Sequence, residues 1–262
     1  MVQEHKGGQR MKSYIQSNLQ SNRAVEWLIK GIRTGNANRL PVALFAIVTL
    51  GLYVFIEIAE EMAEGEMRRI DEMLFLSLRV PGDASTPLGP PWLQETAVEI
   101  TAIGGYPLII LTLAAVAGFF IVTRRYGAAA YAVLAVGSGA LLSQTLKQYY
   151  GRPRPDLVDH LDTVHTLSFP SGHALVTTVA YLTMASLVIG FLPDRRARIY
   201  VLSVAIFVAF IVGLSRVYVG VHWPSDVAAG WALGAAWASL SWLILHFLDQ
   251  RRSSRIRQKE TS

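Results

Sequence analysis

Three short stretches of this chain collect side chains that can do chemistry. Lys147-Gln-Tyr-Tyr-Gly-Arg152-Pro-Arg154-Pro155 supplies three cations, and Phe169-Pro170-Ser171-Gly172-His173 a histidine behind a Ser-Gly turn. Ser215-Arg216-Val-Tyr-Val-Gly-Val-His222-Trp-Pro-Ser-Asp226 adds a cation, a histidine and a carboxylate. Four cations against one carboxylate make an anion site. Arginine presents a planar fork to phosphate oxygens and lysine a point charge. Ser171, Gly172 and His173 stand at the start of a long apolar run. Their backbone N–H groups can therefore face an anion from a helix N-terminus, aided by the dipole. Gly172 has no Cβ to hold the anion away.

His222 and Asp226 lie four residues apart, with Pro224 between them. Proline suits the first helical position and keeps the residue before it extended. The spacing thus puts His222 just before a helix and Asp226 in its first turn. A carboxylate there can fold back onto an imidazole N–H, fixing the tautomer and leaving the other nitrogen free to attack. His173 is then free to protonate a leaving oxygen. Singly, each group has a plainer role. A Lys or Arg at a helix end snorkels, Asp226 can cap a helix, and Ser171 can fill a turn. Anchors alone do not need two histidines and a carboxylate beside them, so the joint placement favours chemistry. His160 and His165, in the loop between the first two clusters, read as surface residues. Asp156, Asp159 and Asp162 of that loop raise a metal alternative, but their spacing matches no metal-loop pattern.

The elements that must carry these clusters are six apolar stretches: Leu40–Ile58, Tyr106–Val122, Gly127–Leu146, Ala174–Leu192, Ile199–Leu214 and Val227–Leu248. About 20 apolar residues cross about 30 Å of hydrocarbon. The two shorter stretches reach that length by borrowing neighbours such as Gly104, Gly105 and Ser215. The chain is 52% hydrophobic and 16% charged, against roughly 25% charged in a soluble domain. Too little polar chain is left to cover six buried helices in water. Lipid requires internal backbone bonding, hence α-helices, and the pattern lacks the alternation of a barrel strand. The expected fold is all-α and polytopic, with six transmembrane helices. The absence of cysteine excludes a disulfide framework, a thiolate zinc site and a cysteine nucleophile.

All three clusters fall on one side of such a bundle. Of the 24 Lys and Arg residues, 17 lie on the side that carries both termini and 7 on the side of the clusters. The excess of cations marks the cytoplasmic side, so both termini are expected there and the clusters outside. The basic tail Arg251–Lys259 reads as a topology anchor beside anionic headgroups, not as a nucleic-acid site. The first outer loop holds Glu66–Arg79, where Met67, Ile70, Met73, Leu74 and Leu78 fall at helical spacing. An amphipathic interfacial helix is expected there. Pro81, Pro87, Pro90 and Pro91 then break structure, and Trp92–Thr101 is a second short helix. Both helices either pack over the bundle or gate it. Gly230 and Gly234 form a G-x-x-x-G whose small residues favour packing within the molecule over dimerisation. Tyr149, Tyr150, Phe169, Tyr218 and Trp223 fall at aromatic-belt depth, as anchors or as the lining of a lateral substrate entrance.

The order Lys147-x6-Arg154-Pro155, Pro170-Ser171-Gly172-His173 and Ser215-Arg216-x5-His222-x3-Asp226 resembles the three-part signature of the type 2 phosphatidic acid phosphatase superfamily. That group comprises membrane lipid phosphatases and the soluble vanadium haloperoxidases. Every signature position is filled, and the resemblance covers about Leu40 to Leu248. It implies that Lys147, Arg154 and Arg216 hold the phosphoryl oxygens, with Ser171 and Gly172 adding hydrogen bonds. It implies that His222 attacks phosphorus to form a phosphohistidine, that Asp226 orients it, and that His173 protonates the leaving oxygen and later activates water. It further implies that no metal and no other cofactor is needed, the cations replacing the Mg²⁺ of other phosphoryl-transfer sites.

The chain is accordingly expected to hydrolyse a phosphate monoester, or the terminal phosphate of a diphosphate, on a lipid at the outer face of a bacterial inner membrane. Phosphatidic acid, phosphatidylglycerol phosphate, undecaprenyl diphosphate and lipid A phosphate are the candidate substrates. Its partners are that lipid and the bilayer, with no nucleic acid; the oligomeric state is left open. The alternatives are a lipid phosphotransferase using the same site, a haloperoxidase, and a non-catalytic phospholipid-binding or transport protein. Residues 1–39 are expected as a polar, basic cytoplasmic segment without a cleavable signal peptide. Residues 40–248 form the membrane phosphatase domain and 249–262 a basic cytoplasmic tail.

Overall fold

The computed structural model describes residues 39–158, 161–162 and 166–260. The basic segment before Arg39 lies outside the described residues, as do Asp159, His160 and His165. The chain order is α1 (Arg39–Glu64), α2 (Met67–Leu76), β1 (Arg79–Val80), β2 (Asp83–Pro87), α3 (Pro91–Ile103), α4 (Tyr106–Val122), α5 (Tyr126–Tyr150), α6 (Gly172–Ile189), α7 (Arg195–Tyr218) and α8 (Pro224–Glu260). All six apolar stretches form helices, the fourth only as far as Ile189. Five of these helices, α1 and α5 to α8, are long and apolar enough to cross a membrane. The second stretch, α4, has 17 residues and qualifies only together with α3, to which it is joined at a bend of 44°.

The bend has a packing cause. At Gly104, between α3 and α4, a Cβ would fall 2.3 Å from Val212 Cγ1, 2.6 Å from Thr177 Oγ1 and 3.4 Å from His173 Cδ2. The backbone therefore passes directly over α6 and α7. The segment expected as a short helix of the outer loop is thereby the first arm of this bent pair, and it packs on α7.

Helix α6 is the centre of the bundle, in contact with α5, α7 and α8, and α1 packs along α8. Val176, Val179 and Ala180 of α6 are fully or almost fully buried, together with Phe55, Ala229 and Leu233 of α1 and α8. The outward faces are apolar too: Phe45, Leu50 and Tyr53 on α1, Ile110 and Leu111 on α4, and Ile206 and Phe207 on α7 are exposed. Apolar side chains inside and out are what a bilayer-embedded bundle requires. The G-x-x-x-G lies inside the molecule. A Cβ on Gly230 would stand 2.9 Å from Ser171 O and from Ala174 Cβ, and one on Gly234 2.8 Å from Leu175 O. The two glycines thus let α8 touch the backbone of α6 where the second cluster begins.

Several details differ from expectation. Helix α2 forms, but Ile70, Met73 and Leu74 of the expected apolar stripe are exposed, while Asp71 and Phe75 are buried against the bundle. The helix docks through Asp71 and Phe75, with Met67 at its start also packed on the bundle and only the middle of the stripe turned outward. After Pro81 the chain does not simply break: β1 and β2 pair antiparallel, with Val80 opposite Asp83. Pro81 and Gly82 fill the two turn positions, Gly82 at φ 88°, the residues that a type II turn selects. Helix α8 passes the expected end at Leu248 because no Gly or Pro interrupts residues 249–260. Of the five aromatic residues expected at belt depth, Phe169 and Trp223 are core residues. Phe169 stacks on Phe55 at 5.8 Å and Trp223 tilts against Phe75 at 5.6 Å.

Candidate active site

Four helix ends meet on one side of the bundle. Helix α5 closes at Tyr150 with Gly151 in the left-handed region, φ 62°, its N–H bonded to Lys147 O at 3.0 Å. That cap ends the helix within a turn of Lys147 and swings Arg152 and Arg154 back over the bundle. Helix α6 begins at Gly172 with Ser171 as its N-cap, the Ser171 hydroxyl accepting from Ala174 N at 3.4 Å. Helix α7 ends two residues after Arg216, and α8 begins two residues after His222. Ser171 N–H donates to Asp226 O at 2.9 Å, tying the starts of α6 and α8 together.

The expected site residues converge. His222 interacts electrostatically with Lys147, Arg154, Arg216 and His173, and His173 with Arg216, Lys147 and Arg154. His222 sits just before α8 and Asp226 in its first turn, as the proline placement implies. His222 Nδ1 faces Asp226 Oδ2 at 3.3 Å, and Trp223 N–H donates to the same oxygen at 3.0 Å. The opposite ring nitrogen, Nε2, lies 3.3 Å from Arg154 Nη1. With Nδ1–H toward the carboxylate, the Nε2 lone pair points to the cations.

Each cation is held differently. Lys147, 3% exposed, donates to Leu167 O at 2.6 Å and Ser168 O at 3.2 Å, which leaves its third N–H without a partner among the described residues. Arg154 donates to Thr166 O at 2.7 Å, Thr166 Oγ1 at 3.0 Å and Val221 O at 2.6 Å. Partial burial and the charge of Arg216 push its guanidinium down to about 10, still a cation at neutral pH. Arg216 is fully buried, and its Nη1 donates to Asp162 at 2.6 Å and Thr101 Oγ1 at 3.3 Å. Its Nε and Nη2 have no hydrogen-bond partner among the described residues. A buried guanidinium with open N–H groups beside a helix N-terminus fits a group with several acceptor oxygens. Gly172 brings the start of α6 against α5: a Cβ there would lie 3.3 Å from Ser143 Oγ and 3.4 Å from Lys147 Cε.

The site also holds residues the motif reading passed over. Arg152, counted with the cations, turns away from the anion site to donate to Asp226 Oδ1 at 2.6 Å and Asp71 Oδ2 at 2.7 Å. Ser143 is fully buried without a hydrogen-bond partner among the described residues. Its position one turn before Lys147 on the same helix face was a usable signal. Thr101, which bonds Ser215 Oγ at 2.7 Å and Arg216, arrives on α3 and had none. Asp162, weighed as a metal ligand, instead faces Arg216; Asp156 is exposed.

Burial first, then the charges of Lys147, Arg154 and Arg216, hold the His222 imidazole well below its ordinary value. It is neutral at pH 7, the state a nucleophile needs. An unfolded chain protonates this histidine below about pH 6.5 while the native chain does not. His222 therefore destabilises the fold as pH drops below that value, with a slope approaching about 1.4 kcal/mol per pH unit. Between pH 7 and pH 5 the thermal midpoint in detergent should therefore drop further in the wild type than in His222→Asn. An equal slope in the variant would mean that the native imidazole is protonated.

A family model described as the PAP2 superfamily matches residues 128–250. The chain is 31% identical over 177 residues to phosphatidylglycerophosphatase B of Bacillus subtilis, covering 64% of this chain and 81% of that protein. It is 33% identical over 152 residues to decaprenylphosphoryl-5-phosphoribose phosphatase of Mycobacterium tuberculosis, covering 55% of this chain and 76% of that one. The fold is similar to the crystal structure of a transmembrane PAP2-type phosphatidylglycerolphosphate phosphatase from Bacillus subtilis. The TM-score is 0.67 at 28% identity, over 80% of this chain and 96% of the other.

Proposed function

The chain belongs to the PAP2 superfamily, and from that premise we propose that it is a membrane lipid phosphatase working through a phosphohistidine on His222. The observation that carries this reading is the His222 ring, Nδ1 on a buried carboxylate and Nε2 open to cations. The reaction balances in two steps. In the first, the Nε2 lone pair forms a bond to phosphorus and the P–O bond to the lipid breaks. Its electron pair leaves on the lipid oxygen, which takes a proton from His173. Asp226 stabilises the cationic imidazole through Nδ1–H. In the second, water attacks phosphorus, His173 accepts its proton, and the P–N bond breaks to restore His222. Lys147, Arg154 and Arg216, with the Ser171 hydroxyl and the N–H groups at Gly172, hold the phosphoryl oxygens as charge spreads over them.

The substrate is a phosphate monoester or terminal phosphate on a lipid. Phosphatidylglycerol phosphate leads, because the Bacillus subtilis match in sequence and the Bacillus subtilis match in structure are both named for it. Phosphatidic acid, undecaprenyl diphosphate and lipid A phosphate are the others. A panel of these lipids, assayed in detergent with EDTA for kcat/KM, tests the reading. One lipid should release inorganic phosphate far above the rest, without added metal. No release from any of them would favour a binding protein, phosphate appearing only on an added lipid acceptor a phosphotransferase, and restoration by Mg²⁺ a metal site.

The Lys and Arg asymmetry supports cytoplasmic termini in a bacterial inner membrane, with the site on the outer side. The chain has no cysteine, so Asp156→Cys supplies a single thiol beside the site. It should react with an impermeant reagent in intact spheroplasts. Reaction only after lysis would reverse the topology.

A further inference from the structure

We propose that Asp71, on the short outer helix α2, is a positioning residue for phosphoryl transfer, acting through Arg152 on Asp226 and so on His222. The inference rests on the reading of His222 as nucleophile. Asp71 is 1% exposed on a peripheral helix of 10 residues. A carboxylate buried there must be fully compensated. Its Oδ1 accepts from Ser225 N at 2.8 Å, and its Oδ2 from Ser225 Oγ at 2.6 Å and Arg152 Nη2 at 2.7 Å. Ser225 is the second residue of α8. Asp71 thus supplies, from another element, an acceptor for an N–H of the first turn of that helix and a second negative charge beside that of Asp226.

Arg152 is a fork with a carboxylate on each prong. Nη2 holds Asp71, while Nη1 donates to Asp226 Oδ1 at 2.6 Å and Ser225 Oγ at 2.8 Å. Its guanidinium carbon lies 5.7 Å from the centroid of the Trp223 ring. With Oδ1 of Asp226 fixed by Arg152, Oδ2 is the oxygen left for Trp223 N–H and His222 Nδ1. The plane of the fork therefore decides where Oδ2 points, and Asp71 holds that plane. At 3.3 Å the His222 contact is the longest link in this series, so a small rotation of Asp226 changes it most. Charge acts in the same direction. Two carboxylates share one guanidinium, and without Asp71 the whole cation falls to Asp226, weakening its hold on the imidazolium that forms during attack. Mere docking of α2 would instead make Asp71 matter for stability alone.

The test uses the full-length protein in detergent, with dioleoyl phosphatidic acid as lipid monoester, p-nitrophenyl phosphate as activated ester and vanadate as anion probe. Asp71→Asn should lower kcat about 10- to 100-fold, the range for a displaced catalytic group, and slow phosphoenzyme formation equally. KM and vanadate inhibition should stay within about twofold. Asp71→Glu should recover part of the rate, and Glu72→Gln, a half-buried neighbour paired only with Arg68 among the described residues, should keep the wild-type rate. Asp71→Asn added to Arg152→Lys should cost little more than Arg152→Lys alone, because one acts through the other. If Asp71→Asn does not fold, Ser225→Ala carries the same expectation of lower kcat at constant KM. Wild-type kcat in folded Asp71→Asn, a loss confined to KM, or losses that multiply with Arg152→Lys overturn the inference. A His222→Ala variant that still turns over removes the parent reading as well. An inactive His222→Ala beside a normal Asp71→Asn removes only this one.

Discussion

His222→Ala should be inactive on a lipid monoester and on p-nitrophenyl phosphate alike, and should trap no phosphoenzyme. Without the imidazole the first bond to phosphorus does not form, and no leaving group compensates. His173→Ala should behave differently. An alkoxide leaving from a lipid needs a proton, whereas an acidic phenol hardly does, and general acid–base help is worth about 10²–10⁴-fold. The His173 variant should thus lose most lipid turnover, keep first-step cleavage of the aryl ester, and accumulate phosphoenzyme because water is no longer activated. Asp226→Asn should fall between them, since its amide still meets Trp223 N–H but no longer balances a cationic imidazole. Rescue of His222→Ala by the aryl ester, with His173→Ala dead on both, would reverse the two roles. Lipid turnover in both would move the active site elsewhere.

Arg216→Lys should cost about 10²-fold in kcat/KM and Arg216→Ala about 10³-fold, the range for losing a preorganised oxyanion donor. Arg216 is fully buried, with Nη1 on Asp162 and Thr101 and with Nε and Nη2 unpartnered among the described residues. On the proposed reading these two nitrogens are the ones that meet the phosphoryl oxygens. Lysine keeps the charge, so the site stays electrostatically balanced, but cannot reproduce the planar pair of donors. Vanadate inhibition should weaken in step with kcat/KM, since both depend on the same oxygens. A lysine variant within about threefold of wild type on both measures would mean that the open N–H groups do not face the phosphoryl position.

The sequence by itself determined the transmembrane helices and the three clusters. Hydrocarbon admits only helices and closed barrels, and long apolar runs without alternation leave the helix, so composition and run length sufficed for α1 and α5 to α8. Proline at the first helical position likewise sufficed to put His222 before α8 and Asp226 inside it. Tertiary structure decided what depends on contacts between distant segments. The bend between α3 and α4 comes from Gly104 packing on Val212 and Thr177, which no local pattern encodes, and it carries Thr101 to Arg216. Periodicity finds the apolar stripe of α2 but does not say which side docks. Asp71 docks instead through ionic and backbone bonds to residues 81 and 154 positions away. Arg152 and Arg154 are two residues apart with the same charge, yet one serves Asp226 and the other faces His222. Residue type settles that a guanidinium is present; only the packed fold settles which carboxylate or imidazole it meets.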